Sequence, residues 1–312
     1  MFALVHHPDY VAPAQADKRY RWNKNGLVRD LLVESGFGVD WIEPEPMPRA
    51  WLERVHSADY VAEVLAAAVP REKERRIGFP VTEVVARRAQ VVPGGTYRAA
   101  LEALKRGFAV NNAGGSHHAL HDSGAGYCVF NDLAVAAVRL TEEGTCARVL
   151  VVDVDVHQGD GTAALTAGRP EIATYSIHAE KNFPVRKAVS TLDVGLPDGT
   201  GDEDYFAALE ETLVPLVERF RPSLILYQGG VDPFSGDRLG RLALTQEGLD
   251  ARDRFVGTLA RACGIPLAGT LGGGYGADAL EVARRHERSI LTMAALFSEA
   301  PVAERPRTST LG

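Results

Sequence analysis

Short apolar runs alternate with longer amphipathic stretches through the middle and C-terminal parts of the chain. The runs at 149–152, 174–177, 224–227, 266–271 and 108–111 predict buried β-strands. Apolar residues at helical spacing predict a helix over 206–220, and Thr245 followed by Gln246 and Glu247 predicts the start of another, over 245–262. Alternating strands and helices favour an α/β fold, with a central, mostly parallel β-sheet covered by helices on both faces.

Polar or glycine-rich residues follow each of these strands directly. They occupy 114–118, 153–157, position 178, 229–232 and 272–275. In open α/β sheets, ligands bind at the carboxyl ends of the strands. The sequence therefore predicts one functional site along this edge of the sheet.

The segment after the 149–152 run carries three ionisable side chains at alternate positions. Strand alternation points Asp153, Asp155 and His157 to one side, where burial without a cation would be costly. Carboxylate and imidazole ligands favour zinc, with iron(II) or manganese as alternatives. Asp232, at another strand end, completes three protein ligands with Asp155 and His157. The competing interpretations are a hydrogen-bonded polar network and, for Asp232 before Pro233, a turn residue.

Two adjacent histidines and one tyrosine follow other strands. His117 and His118 are either surface-loop residues or a pair of bases, and the spare carboxylates of Asp153 and Asp160 match them in number. Tyr275 follows three glycines, so its hydroxyl could donate to an oxyanion. The same turn could cradle phosphate, but it lacks the spacing of either phosphate fingerprint.

Composition excludes several classes of function. The chain has 312 residues and a formal net charge of -7, which argues against a nucleic-acid partner. Its densest basic run, 71–76, alternates in sign and predicts a solvated loop or helix face. No signal peptide and no apolar run near the ~20 residues of a membrane span is visible, so we expect a cytoplasmic protein with no membrane partner. The three cysteines, Cys128, Cys146 and Cys263, are expected to be small buried hydrophobes.

These motifs together resemble the histone deacetylase superfamily. The resemblance extends from 6–8 through 54–61 to 274–275, nearly the whole chain. The segments 115–119, 126–132 and 78–80 look closest to bacterial relatives of class IV deacetylases. The resemblance implies an arginase/deacetylase-like fold, as one three-layer αβα deacetylase domain over 1–298 followed by a flexible tail over 299–312.

The resemblance also implies two kinds of metal site. Asp155, His157 and Asp232 would bind Zn²⁺. A structural K⁺ site would involve five residues: Asp153, Asp155, His157, Ser176 and Ile177.

Roles in catalysis follow from the same resemblance. His118 would act as general base and then acid, oriented by Asp160, while His117 paired with Asp153 would help electrostatically. Tyr275 would polarise the substrate carbonyl.

A narrow acyl-lysine channel is also implied. Gly126, Tyr127 and Phe183 would contact the substrate, with the two aromatic rings as walls. Many family members carry an Asp two residues before the proline equivalent to Pro80, whereas Gly78 stands here, which puts peptide recognition in question.

Arginases share the implied fold but hold two manganese ions. Gly159 and Phe234 stand where their second-metal ligands would be, which argues against ureohydrolase activity.

The resulting expectation is a zinc-dependent amide hydrolase that removes acetyl or longer acyl groups from lysine side chains or similar amines. One alternative is a small-molecule deacylase acting on acetylpolyamines or metabolite amides. A non-catalytic acyl-binding protein is another, but it would be expected to show a broken ligand set. A symmetric homo-oligomer is the general expectation for a soluble enzyme.

Overall fold

A computed structural model describes residues 1–11 and 23–298 of the chain. Within them, eight strands form one sheet in the order β2-β1-β3-β8-β7-β4-β5-β6, and every pairing is parallel. The strands are β1 (Phe2–Val5), β2 (Val39–Ile42), β3 (Phe108–Asn111), β4 (Val149–Asp153), β5 (Ile172–Ala179), β6 (Leu192–Leu196), β7 (Leu224–Gln228) and β8 (Leu267–Thr270).

Helices connect the strands and cover the sheet. In chain order they are α1 (Lys24–Glu34), α2 (Arg49–Leu52), α3 (Ala58–Leu65), α4 (Arg71–Ile77), α5 (Glu83–Arg106), α6 (Asp132–Glu142), α7 (Asp160–Thr166), α8 (Asp202–Phe220), α9 (Gln246–Ala262) and α10 (Ala279–Ser298). A 3-10 turn spans Pro8–Tyr10.

The two faces of the sheet bury separate hydrophobic cores. In β4, Leu150 and Val152 pack into one core, while Val149 and Val151 pack into the other. Alternate side chains of a strand point to opposite faces, so a strand covered on both sides is apolar throughout. Helices α1, α8, α9 and α10 supply the first core, and α3, α5 and α6 supply the second. The protein is therefore a three-layer α/β fold.

The predicted elements are present, with bounds that differ from the predicted ones by a few residues at most places. All five predicted strands occur, the 206–220 stripe lies in α8, and the Thr245 hydroxyl caps α9 by accepting from the Gly248 N–H at 3.0 Å. The sheet is wholly parallel in the described residues rather than mostly so. The pattern did not predict β1, β2 or β6.

Cys263 and His178 differ from expectation, whereas the basic run 71–76 matches it. Cys263 is exposed, since it lies just beyond the end of α9, whereas Cys128 and Cys146 are buried as expected. His178 lies inside β5 rather than after it. The run 71–76 forms most of α4, a largely exposed helix.

The predicted tail, 299–312, lies outside the described residues. Among the helices that are described, none combines the length and apolarity that crossing a membrane requires.

Candidate active site

Two strand ends bring a histidine and two aspartates together. Asp155 and His157 follow the last residue of β4, and Asp232 follows β7, the neighbouring strand. All three side chains are buried, and each offers a ligand atom within 4.8 Å of the others. The Nδ1 atom of His157 lies 2.9 Å from Asp155 Oδ1 and 3.3 Å from Asp232 Oδ2.

This cluster has the features of a cation site. Asp232 Oδ2 is buried without a hydrogen-bond partner, while Asp232 Oδ1 accepts from the Val156 N–H at 2.9 Å. Burial lowers the pKa of His157, but the neighbouring carboxylates of Asp155 and Asp232 outweigh it and raise that pKa to about 10. Two buried carboxylates therefore draw a proton onto the ring, and a divalent ion would supply the same positive charge.

Backbone close to the cluster must be glycine. A side chain at Gly273 would begin 2.0 Å from Asp232 Oδ2, and one at Gly230 would begin 2.3 Å from Asp155 Oδ2. Because the glycine comes this close, the Gly273 N–H donates to Asp155 Oδ2 at 2.9 Å. The glycines after β7 and β8 are thus required by packing against the carboxylates.

The two adjacent histidines each pair with a different buried aspartate. His117 Nδ1 lies 2.6 Å from Asp153 Oδ2, and His118 Nδ1 lies 2.6 Å from Asp160 Oδ1. The ring centroids are 4.0 Å apart. Their loop follows β3, Asp153 ends β4, and Asp160 begins α7, so three elements build the pair of dyads.

The dyads are electrostatically unequal. Burial lowers the pKa of His117, but Asp153 and Asp155 outweigh it and raise that pKa to about 9. Burial and the neighbouring His117 charge lower the pKa of His118 to about 3, against the opposing effect of Asp160. In the metal-free site these shifts therefore favour the cationic form of His117 and the neutral form of His118.

Aromatic rings line a channel that leads to these groups. The cavity measures about 340 Å³ and is lined by Arg75, Arg76, Ile77, Gly78, His118, Gly126, Tyr127, His157, Asn182, Phe183, Leu239 and Tyr275. The Phe183 ring packs edge-on to the His118 ring, with 4.8 Å between the ring centroids. The centroid of the Tyr275 ring lies 5.8 Å from that of Tyr127 and 6.3 Å from that of His157. Phe183 is 41% exposed, so one wall reaches the surface.

Three residues around the site were missed by sequence reasoning. Gln228 ends β7, and its Nε2 donates to Asp155 Oδ2 at 3.1 Å. Lys24 donates from Nζ to the Gly272 carbonyl at 2.6 Å beside a smaller inner cavity of about 50 Å³. Gln228 could have been found, since it immediately precedes a glycine pair at a strand end.

Arg252, the third, is fully buried in α9. Its Nη1 donates to the carbonyls of Gly230 at 2.8 Å and Val154 at 3.2 Å, and it pairs with Asp253. Those carbonyls belong to the two loops that carry Asp232 and Asp155. An arginine within an amphipathic helix gives no sequence signal of this contact.

The remaining predicted residues lie nearby without a decisive contact. Ser176 is the register partner of Asp153, and its hydroxyl lies 3.0 Å from Nδ1 of the buried His178. Ile177 is buried in one of the two cores. The potassium site stays a prediction.

Comparison with known proteins assigns the family. The model of the histone deacetylase domain matches residues 4–291. The chain belongs to the histone deacetylase family. It is 42% identical over 291 residues to an uncharacterized protein of Picosynechococcus sp., covering 91% of this chain and 96% of that one. It is 30% identical to histone deacetylase 2 of Arabidopsis thaliana over 271 residues, covering 81% and 68% of the two chains.

Solved structures with this histone deacetylase fold include the HD domain of HDA15, with a TM-score of 0.79, 22% identity, and coverage of 96% of this chain and 89% of that one. An acetylpolyamine aminohydrolase from Burkholderia pseudomallei gives a TM-score of 0.77 at 22% identity, covering 95% and 99%. At this identity the likeness establishes the fold. Family membership supports a deacetylase-type hydrolase.

In this histone deacetylase family member, close packing at Gly159 disfavours a ligand for a second metal ion. A side chain at Gly159 would begin 2.3 Å from Asp153 Oδ2, so a ligand there would displace the partner of His117.

Proposed function

We propose that the chain is a zinc-dependent amide hydrolase that removes acyl groups from lysine side chains or similar amines. One observation carries the proposal: two histidine–aspartate dyads adjoin the Asp155, His157 and Asp232 cluster, and His118 and His157 from these groups line one aromatic channel. A base, a cation site and a water-excluding channel are what hydrolysis of a stable amide requires.

Zinc suits the donor set. Two carboxylates and one imidazole leave a coordination position open in a tetrahedral site, and the orphaned oxygen of Asp232 supplies a ready ligand. When bound, the ion would supply Lewis-acid polarisation of the amide carbonyl and a lowered pKa for water. Asp153, Asp155, His157, Ser176 and Ile177 are the residues that would hold the proposed K⁺.

His118 is the proposed general base. Asp160 holds its Nδ1 nitrogen, which leaves Nε2 to take the proton of the attacking water. The lowered pKa of His118 favours the neutral ring, in which Nε2 carries a free lone pair. The same nitrogen then returns the proton to the leaving amine, as microscopic reversibility allows.

Positive charge and a hydroxyl would stabilise the oxyanion that forms. His117, cationic because of Asp153 and Asp155, lies next to His118 and offsets negative charge in the site. Tyr275 borders both the channel and the cation cluster, which supports a role for its hydroxyl as a donor to the carbonyl oxygen.

The channel would select an unbranched acylated amine. Tyr127 and Phe183 form two walls, and Gly126 leaves room between them, because a side chain at this position would begin 2.6 Å from His118 Cδ2. A linear alkyl chain buries its methylenes between such walls while its amide reaches the base.

A panel of acylated substrates tests the proposal. Zinc-loaded protein is offered peptides with acetyl to long-chain acyl-lysine, beside acetylated polyamines, with and without a chelator. Chelator-sensitive cleavage of the peptides is the expected result and gives the acyl-length preference. Cleavage of the polyamines alone would shift the assignment to small molecules. No cleavage by fully metallated protein would overturn the catalytic proposal and favour an acyl-binding protein.

A further inference from the structure

The outer end of the channel carries two positively charged side chains. Arg75 and Arg76, in the last turn of α4, line the same cavity as His118, His157 and Tyr275. Both arginines are exposed. The basic run that looked like a solvated helix face thus ends at the entrance to the site.

Backbone hydrogen bonds fix this helix end to the channel wall. The Gly126 N–H donates to the Arg76 carbonyl at 3.1 Å, and the Tyr127 N–H donates to the Ile77 carbonyl at 2.7 Å. Since Tyr127 is itself a wall of the channel, the two arginines cannot move away from the entrance without moving that wall. The backbone that carries their guanidinium groups is therefore held at the region where the substrate would emerge.

No acidic side chain forms an ion pair with these arginines in the described part of the chain, although Glu72 lies one turn before Arg76 in α4. Lys73 pairs with Glu63 at 2.6 Å, and Glu74 accepts from the Val81 N–H at 2.8 Å, whereas neither Arg75 nor Arg76 has an ion-pair partner there. None of the described residues that line the channel is an aspartate or glutamate.

Position 78, two residues after Arg76, cannot hold an acidic side chain either. Gly78 has φ +104°, and a side chain there would begin 2.8 Å from the Tyr127 ring. The entrance is therefore cationic although the whole chain has a net charge of -7.

We propose that Arg75 and Arg76 make this entrance select acylated amines that carry a carboxylate close to the acylated nitrogen. The inference rests on the proposed function, because the acyl end must point inward for the rest of the substrate to meet the arginines. A cationic remainder, as in an acetylated polyamine, would be repelled. The carboxylate could come from acidic residues beside an acyl-lysine or from a small molecule.

Two matched substrate sets separate these sources. The first is an acetyl-lysine peptide with flanking Asp, Asn or Lys. The second is Nα,Nε-diacetyl-lysine, its neutral methylamide and the cationic N-acetylputrescine. An exposed ion pair changes affinity by about two- to fivefold, so two arginines should give about a tenfold kcat/KM preference for the anionic over the cationic substrate. The preference should shrink as salt is raised from 0.05 to about 0.5 M.

Charge variants test the residues themselves. Arg75→Gln with Arg76→Gln should bring the ratio near one, and Arg75→Glu with Arg76→Glu should reverse it. Arg71→Gln, an exposed arginine on the same helix outside the channel, should leave the ratio unchanged. An unchanged ratio in the double variants, or an equal loss in Arg71→Gln, would overturn the proposal.

Binding separates this proposal from the catalytic one. Fluorescence anisotropy of labelled forms of the same three peptides on zinc-loaded protein needs no turnover. Preferential binding of the acidic peptide that depends on Arg75 and Arg76 would support the selectivity even if no substrate is cleaved. Equal binding of all three peptides would refute it even if hydrolysis is fast.

Discussion

The Nδ1 atom of His118 lies 2.6 Å from Oδ1 of Asp160, and both side chains are buried. A neutral imidazole has one N–H, and a carboxylate can only accept, so the proton resides on Nδ1. The contact therefore fixes the tautomer in which Nε2 is the basic nitrogen.

Asp160→Asn should lower kcat on the order of 10²–10⁴-fold, because an amide at this position no longer requires the proton on Nδ1. The acyl-peptide assay measures this directly. Zinc content and circular dichroism should match the unsubstituted protein, since Asp160 is outside the cation cluster. A variant with kcat within threefold of the parent would show that the tautomer does not limit the reaction.

Tyr275→Phe should lower kcat about 10²–10³-fold while leaving zinc bound, since it removes one oxyanion donor and no ligand. Tyr97→Phe is the matched control, because that hydroxyl binds Glu143 on the surface at 2.7 Å. The control should keep its activity. Near-normal turnover in Tyr275→Phe would remove the tyrosine from the mechanism.

The centre of the fold could be predicted because burial on both faces leaves a strong sequence pattern. The β4 run 149–152 is apolar at every position, since helices cover both sides. Strand β6 was missed because it lies at the sheet edge and alternates partly buried and exposed residues. Strand β1 is fully buried, but it has only four residues at the very start of the chain.

The candidate site was predictable in composition but not in electrostatics. The spacing along the chain predicts that Asp155 and His157 are neighbours. The two carboxylates left over from metal binding predict one aspartate partner for each of His117 and His118. The sequence could not reveal that one histidine of the pair is cationic and the other neutral, because that depends on distances to Asp153 and Asp160 across separate elements. The sequence predicts only that Arg75 and Arg76 are solvated, because it does not reveal where they lie relative to the channel.

Zinc binding to the metal-stripped protein should release about one proton at pH 7.5. Burial lowers the pKa of His157, but the carboxylates of Asp155 and Asp232 outweigh it and raise that pKa to about 10, so the ring of the metal-free protein is protonated until zinc displaces the proton. Affinity should therefore rise with pH through the neutral range. Calorimetry in buffers of different ionisation enthalpy measures the proton count. Zero release, with affinity constant from pH 6 to 8, would contradict a protonated His157.

Gly78→Ala should impair both stability and activity, while Gly144→Ala should impair stability alone. Both glycines have positive φ, +104° and +72°, so each alanine should cost about 1 kcal/mol in the free energy of unfolding. Only the alanine at 78 meets a neighbour, the Tyr127 ring, whereas nothing lies within 4 Å at 144.

Displacing that wall should reduce kcat/KM on the order of tenfold. Urea unfolding and the peptide assay separate the two effects. Equal activity of the two variants would mean that Tyr127 does not shape the channel.

Arg252→Met should destabilise the protein by about 3–5 kcal/mol, because it leaves Asp253 as a buried charge without its partner. The exposed Arg254 on the same helix offers a matched control, and Arg254→Met should change stability by less than about 0.5 kcal/mol.

Arg252 also holds the Gly230 and Val154 carbonyls, so its loss should loosen both loops that carry the aspartate ligands. Zinc affinity should then fall about 10–100-fold under conditions where the variant remains folded. Arg252→Lys keeps the charge but reaches fewer acceptors. Its zinc affinity should therefore lie between that of Arg252→Met and that of the unsubstituted protein. Destabilisation with unchanged zinc affinity would restrict Arg252 to a role in folding and separate it from the metal site.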